Sequence, residues 1–189
     1  MCIRDRLDRI ESGALSARLN KQQVKIKEPD PEILEEGVYF HKLLEFLVPQ
    51  SSNPEKSPAM PSDQEIINWL GVDQALAQKL QTYVQVVMTA PELKPYLSSG
   101  EWLQAWNELD IADEEGKSFR LDRLVELGDH LAIIDYKLTI PSPDSEMYQK
   151  YLKQLQNYQK ELKRIRPDKE NRAYLISSGG KIEQIGQIL

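Results

Sequence analysis

The sequence predicts an α/β fold: a mixed central sheet of about five strands flanked by helices, with an N-terminal helical region. Three observations carry that expectation. Apolar residues recur at three- and four-residue steps as far as Leu97, and from Trp106 they alternate at the two-residue period of strands. The helical period returns after Tyr148 and gives way to two final strand-like runs, so the order is helices, three strands, a helix and two strands. With 189 residues, 40% of them hydrophobic, the chain can bury one core, and no internal repeat points to a solenoid.

Residues 1–31 are polar and mixed in charge, close on "KEPDP", and read as a linker or tail. The opening "MCIRDR" resembles a spurious start found in assembled environmental sequences, so the natural chain is expected to extend upstream. The folded domain is expected over 32–189. Its first helix runs from about Glu32 to Leu47, with Leu34, Val38, Leu44 and Leu47, joined by Phe40 and Leu43, as its apolar side. Residues 49–62 hold four prolines and four serines, the chemistry of a flexible loop. Helices follow over 63–97, broken near Gly71, Pro91 and Pro95, with Ile66, Ile67, Leu70, Leu76, Leu80, Val84 and Val87 as core contacts. Strands are expected at 106–111, 118–127 and 130–138. A helix over 148–164 buries Tyr148, Tyr151, Leu152, Leu155, Leu162 and Ile165, and strands at 172–177 and 181–188 flank a Gly179-Gly180 turn.

Composition excludes several classes. The single cysteine, Cys2, leaves no disulfide framework and no four-cysteine iron–sulfur cluster, and suits a reducing cytoplasm. No apolar run approaches the ~20 residues of a membrane span, and there is no signal-peptide core. No Gly-rich phosphate loop of the G-x-x-x-x-G-K-[ST] type occurs, so no nucleotide-driven motor resides in this chain. A net charge of -6 argues against a wholly polyanion-binding surface.

"RLDRLVELGDHLAIIDYK", Arg120 to Lys137, reads as two strands hinged at Gly128-Asp129. A two-residue turn led by a glycine at positive φ would set Leu127 opposite His130, and hence Asp122 opposite Asp135. Opposed side chains in an antiparallel pair have Cβ atoms ~4.5 to 5.5 Å apart, where like charges repel. Alternation gives Asp122, Arg120, Leu124, Ile133, Asp135 and Lys137 one face. The other takes Leu121, Val125, Ala132, Ile134 and Tyr136, with Arg123 and His130 as polar exceptions, so one face reads as core and the other as charge. A divalent cation is one reason for two carboxylates to stay ionised together, and hard oxygen ligands suit Mg²⁺ or Mn²⁺. Lys137 falls ~7 Å along the strand from Asp135 on the same face, in reach of a water or a scissile phosphate. Metal, water and cation are the parts of phosphodiester hydrolysis. On geometry alone, ordinary surface charge neutralised by Arg120 and Lys137 explains the pattern equally well.

"EEGVYFHKLLE", then "RLDRLVE" thirteen residues ahead of "IIDYK", then "QLQNY", form an ordered set over most of the chain. This set resembles the nuclease domain of the RecB and AddA type, within the PD-(D/E)XK superfamily, the C-terminal domain of bacterial recombination-repair helicase-nucleases. The resemblance implies a restriction-endonuclease-like core and a Mg²⁺-dependent (or Mn²⁺-dependent) deoxyribonuclease active in DNA repair and recombination. It also implies DNA and a superfamily 1 helicase as partners. By the same resemblance His41, Asp122, Asp135 and the backbone carbonyl of Tyr136 are metal ligands, Lys137 is the catalytic lysine, and Gln154 and Tyr158 form the supporting Q-x-x-x-Y element. Glu108 matches a further acidic position. "DYKLT" departs from the commoner "DYKTG", which touches the loop after the lysine.

Each of these residues has a quieter reading. A lone histidine on an apolar helix is more often a satisfied core residue than a ligand, which is the quieter reading of His41; Tyr158 reads as a plain core aromatic, and Glu45, on the face it shares with Gly37 and His41, as a partner of the imidazole or a solvated carboxylate. Gly37 would let the first helix approach the sheet. Between Tyr148 and Lys169 seven basic residues stand against two acids, a footprint that suits phosphate-backbone contact. A catalytically silent module that keeps the fold to guide DNA or a partner subunit is the alternative.

Overall fold

The computed structural model describes residues 31–50 and 58–186, so the expected linker over 1–31, Pro31 aside, and the middle of the 49–62 loop lie outside the described residues. Five helices and five strands follow in the order α1 (Pro31–Leu47), α2 (Asp63–Leu70), α3 (Gln74–Thr89), α4 (Lys94–Leu97), β1 (Gln104–Ala112), β2 (Ser118–Glu126), β3 (His130–Lys137), α5 (Glu146–Ile165), β4 (Glu170–Ser177) and β5 (Ile182–Ile185), with a short 3-10 turn over Pro91–Leu93. The α/β expectation therefore holds, strand for strand and helix for helix.

Local chemistry sets the helix ends. Ser62 caps α2 in a reciprocal box with Glu65, whose carboxylate takes the Ser62 amide at 2.8 Å, and Gly71 ends the helix in the left-handed conformation at φ 71°. Asp73 caps α3 through the Leu76 amide, and Ser145 caps α5 through the Tyr148 amide. Pro95 stands in the first turn of α4, where its missing N–H costs nothing.

The strands form one sheet in the order β1-β2-β3-β4-β5, antiparallel except for the parallel pair β3–β4. A parallel pair needs a crossover, which α5 supplies. That helix covers the face read as the charged one, and a buried cluster consequently lies on each face of the sheet. One cluster joins α1, α3 and α4 to Val125, Ala132, Ile134 and Tyr136. The other joins Leu155, Tyr158 and Leu162 of α5 to Leu121, Leu124, Leu131 and Ile133. β3, central and covered on both sides, is buried from His130 through Tyr136.

The hairpin register is the expected one: Glu126 pairs with Leu131, Val125 with Ala132, Leu124 with Ile133, and Arg123 with Ile134. The Leu127 amide donates to the His130 carbonyl at 2.9 Å. The turn is made differently, because the described residues at positive φ are Glu108, Gly71, Gly100, Gly116 and Gly180, and Gly128 is not among them. Three apolar assignments also change. Leu34 and Val38 on α1 and Ile165 at the end of α5 are exposed, since no element among the described residues covers those parts of the helix surfaces.

Arg123 is fully buried behind the sheet. Its guanidinium donates to Tyr96 O at 2.9 Å, Pro49 O at 3.1 Å and Asn107 Oδ1 at 2.6 Å, and stacks 5.5 Å from the centre of the Trp102 ring. Asn107 in turn donates to Glu45 O and Val48 O, so one cation ties β2 to β1, to α4 and to the end of α1. Arg123→Ala leaves a cavity and orphaned carbonyls, and is expected to lower unfolding free energy by ~3 to 5 kcal/mol in urea denaturation.

Candidate functional site

The β2–β3 ladder ends at Arg123–Ile134, and the next pair in register is Asp122 and Asp135. Beyond that point the strands part, and the backbone of Tyr136 finds side-chain partners instead. Its amide donates to Asp122 Oδ2 at 2.8 Å, and its carbonyl takes a hydrogen bond from His41 Nε2 at 2.7 Å. His41 Nδ1 lies 3.4 Å from the same Asp122 oxygen. The histidine of α1 thus reaches the strand end from a position 95 residues away. The Tyr136 ring points into the α1 side of the core, edge-on to His41 at 5.9 Å.

Asp135 is 3% exposed, and Lys137 pairs with its Oδ2 from the same strand face. The ammonium also sits 4.7 Å from the centre of the Tyr151 ring on α5, a cation–π contact. Gln154 Nε2 donates to Tyr158 Oη at 2.7 Å, and Tyr158 Oη donates to Arg120 O at 3.1 Å. The Q-x-x-x-Y pair therefore tethers α5 to β2 two residues before Asp122. Glu108 continues the row, since its neighbours Asn107 and Leu109 pair with Arg123 and Leu121 on either side of Asp122. Its φ of 50° is unusual for a non-glycine residue inside a strand.

All eight sequence-predicted site residues are thereby gathered at one strand end: His41, Asp122, Asp135, Tyr136 and Lys137 at its centre, Glu108 beside them, Gln154 and Tyr158 behind. Three participants were not singled out as site residues. The helical spacing marks Tyr151 only as part of the buried side of α5. Arg120 holds Asp110 at 3.0 Å and stands 3.5 Å from Glu108, and Glu45 opens onto the same groove. Spacing gave one signal for Tyr151, because it lies one helical turn before Gln154 on the face that meets β3.

Opposed fields set the charge states. Burial raises the Asp135 carboxyl and the neighbouring Asp122 charge raises it further, to about 6, against the pull of Lys137. Burial acts likewise on Asp122, but its bonds to His41 and the charge of Lys137 prevail and hold it low. For His41 burial disfavours the imidazolium, while the Asp122 hydrogen bond and charge outweigh it and raise the pKa. Lys137 is desolvated too, yet the charges of Asp135 and Asp122 raise it. Burial, then Asp122 and Glu45, raise Glu108.

Among the described residues, no three His, Cys, Asp or Glu side chains converge as a ready cage for an ion. The groups are instead paired internally: Lys137 with Asp135, and His41 with both Asp122 and the Tyr136 carbonyl. The donor set nonetheless fits a hard divalent cation, with two carboxylates, one carbonyl freed from the ladder and one imidazole. A buried carboxylate still raised in pKa beside its lysine is short of positive charge, which is the state a dication would relieve.

Of the seven basic residues expected to form a strip, four serve the fold. Lys163 bonds Pro167 O and Lys169 O, Arg164 bonds Glu161 and Ala112 O, Arg166 bonds Asp168 and Glu126, and Lys169 pairs with Glu126. Lys150, Lys153 and Lys160 remain exposed to solvent. No helix among the described residues is long and apolar enough to cross a membrane. The chain matches no protein-family model, and no curated protein is significantly similar to it.

A pH dependence follows from Asp135. Its folded pKa lies above the unfolded value of 3.8, so folding favours the protonated form, and the stability this gives below pH ~4 is withdrawn as pH rises to about 6. In metal-free buffer, Asp135→Asn is expected to melt higher than wild type at pH 7 to 8 and to lose that advantage by pH ~4. Thermal melts across that range check it.

Proposed function

We propose that this chain is the nuclease domain of a RecB/AddA-type protein of the PD-(D/E)XK superfamily, hydrolysing DNA phosphodiesters in repair or recombination as part of a helicase-nuclease. The observation that supports this reading most is the convergence of Asp122, Asp135 and Lys137 with His41 where β2 and β3 part. A surface-charge pattern has no reason to bury Asp135, nor to draw an imidazole onto Asp122 from another layer of the fold.

In this reading Asp122, Asp135, the Tyr136 carbonyl and neutral His41 would hold Mg²⁺ or Mn²⁺. When bound, the ion supplies charge neutralisation at the phosphate and a water acidic enough to attack near neutral pH. The chain's own part begins with Lys137. Released from Asp135, its ammonium hydrogen-bonds the attacking water or an oxygen of the phosphate and offsets the charge developing there. Tyr151 keeps that ammonium over the site through the change of partner. Gln154 and Tyr158 hold β2, and with it Asp122, at a fixed distance from α5. The exposed lysines of α5 provide cations for the sugar-phosphate backbone without reading sequence. As a ligand His41 would be neutral, so it would give up the proton with which it engages Asp122.

The second reading, a silent module that binds DNA or a partner, is favoured by one observation: the carboxylates are already neutralised from within by Lys137 and His41. Labelled linear and circular DNA incubated with Mg²⁺, Mn²⁺ or EDTA separates the two. Cleavage dependent on the ion is expected, whereas binding without cleavage in any ion selects the silent module. Lys137→Ala, which leaves Asp135 without its partner, is expected to lower the melting temperature in metal-free buffer but to keep the Mg²⁺-induced stabilisation, while cleavage falls ~10²- to 10³-fold. Asp122→Asn is expected to abolish the Mg²⁺-induced rise in melting temperature. For Tyr151, the phenylalanine variant should retain cleavage while Tyr151→Leu lowers kcat ~10-fold at unchanged KM, a split visible in steady-state kinetics.

A further inference from the structure

We infer that the groove between α1 and the β1–β2 hairpin seats a single nucleobase, the one flanking the phosphodiester under attack. The inference rests on the reading of the neighbouring site as a phosphodiester-cleaving one. The groove measures about 470 Å³, within the range of small-ligand pockets. Leu34, Gly37, Val38 and His41 of α1 form one wall, and Glu108 and Asp122 of the strands form the other. His41 and Asp122 belong to the candidate catalytic centre, so the groove is continuous with it.

Features of α1 that the fold itself does not use meet in this wall. Leu34 and Val38 are apolar yet 55% and 52% exposed. Gly37 lies between them on the same helix face, and a Cβ there would meet only Leu138 Cδ1, at 3.9 Å, an ordinary contact. Close packing of α1 on the sheet, the role expected for this glycine, therefore does not require it. Glycine inside a helix is destabilising relative to alanine, so its effect here is to leave space in the groove rather than to serve packing.

Charge selects the occupant. The carboxylates of Glu45, Glu108 and Asp122 face the groove against Lys42 and Arg120, and Arg120 is already held by Asp110 and Glu108. His41, engaged on Asp122, adds a third cation that balances the three carboxylates, so a phosphate inside the groove would meet no surplus of positive charge. A nucleobase is neutral and flat, with apolar faces for Leu34 and Val38 and polar edges for the charged rim, and it is joined covalently to the phosphate that the adjacent centre would hold. The seat requires a base that is out of its stack.

The test is fluorescence anisotropy in EDTA, comparing a labelled oligothymidylate with a chain of abasic sites of equal length and charge, so that only the bases differ. Wild type is expected to bind the oligothymidylate ~10-fold more tightly. Gly37→Leu, which fills the floor, and the double variant Leu34→Ser with Val38→Ser are expected to remove that preference without lowering the melting temperature by more than a few degrees. Gly37→Ala is expected to raise the melting temperature and weaken the preference together. Equal affinity for the two chains in wild type, binding of neither, or a preference unchanged by Gly37→Leu overturns the inference. A double variant that changes the sedimentation mass and keeps the base preference assigns the apolar edge to contact between copies, and overturns it as well. Cleavage is read separately: Mg²⁺-dependent cleavage without base preference removes the seat alone, and absence of cleavage in wild type removes the proposed function.

Discussion

A strand that leaves its neighbour must find other partners for its backbone, and in this chain that obligation builds the site. Past Ile134, β3 loses β2, and a buried amide and carbonyl of Tyr136 stand where a ladder would have satisfied them. Asp122 takes the amide and His41 takes the carbonyl. An unpaired buried backbone group costs ~1 to 3 kcal/mol, so these two side chains stabilise the fold before any ligand arrives. The same contacts bring a carboxylate to the amide and an imidazole to the carbonyl of one residue, Tyr136. Strand termination and site assembly are therefore a single event, and neither can be altered without the other.

Electrostatics at that point are balanced from within. Asp122 and Asp135 stand against His41 and Lys137, all of them wholly or partly withdrawn from water. Buried charges are costly to desolvate and are tolerated when each has a partner at hand. The balance is uneven, since Asp135 stays raised in pKa beside its lysine while Asp122 is held low. The pair titrates as a pair, with the proton residing first on the more deeply buried member.

Much of this was legible in sequence, for specific reasons. The apolar runs on either side of Gly128-Asp129 fixed the hairpin register, because a one-residue slip would have turned every side chain to the wrong face. The turn conformation was not legible: a glycine permits positive φ but does not demand it. Alternation identified the two faces of the hairpin but could not foretell that the charged one would be roofed by α5. That follows from the parallel pairing of β3 with β4, which no local pattern announces. Leu34 and Val38 obey the helical period as faithfully as Leu44 does, because periodicity reports a shared face and is silent on what that face meets. Arg123 stood out as a charged residue on the core side, yet its partners are carbonyls at Tyr96 and Pro49, whose positions are invisible before folding. The contact of Tyr151 with Lys137 joins a helix to a strand across the crossover, and only the spacing from Gln154 hinted at it. The same limit applies to the basic strip, where counting charges could not separate lysines that bind helix ends from those left to solvent.

The separation along the chain between His41 and Tyr136 carries a consequence for how the molecule is put together. The hairpin that aligns Asp122 with Asp135 is local, whereas the imidazole reaches the Tyr136 carbonyl across 95 residues of chain and only when α1 is docked on the sheet. Completion of the tertiary structure is what brings the imidazole to the Tyr136 carbonyl, so a partly folded chain lacks both that contact and the α1 wall of the groove. Competence arrives last, as a signal that every layer is in place.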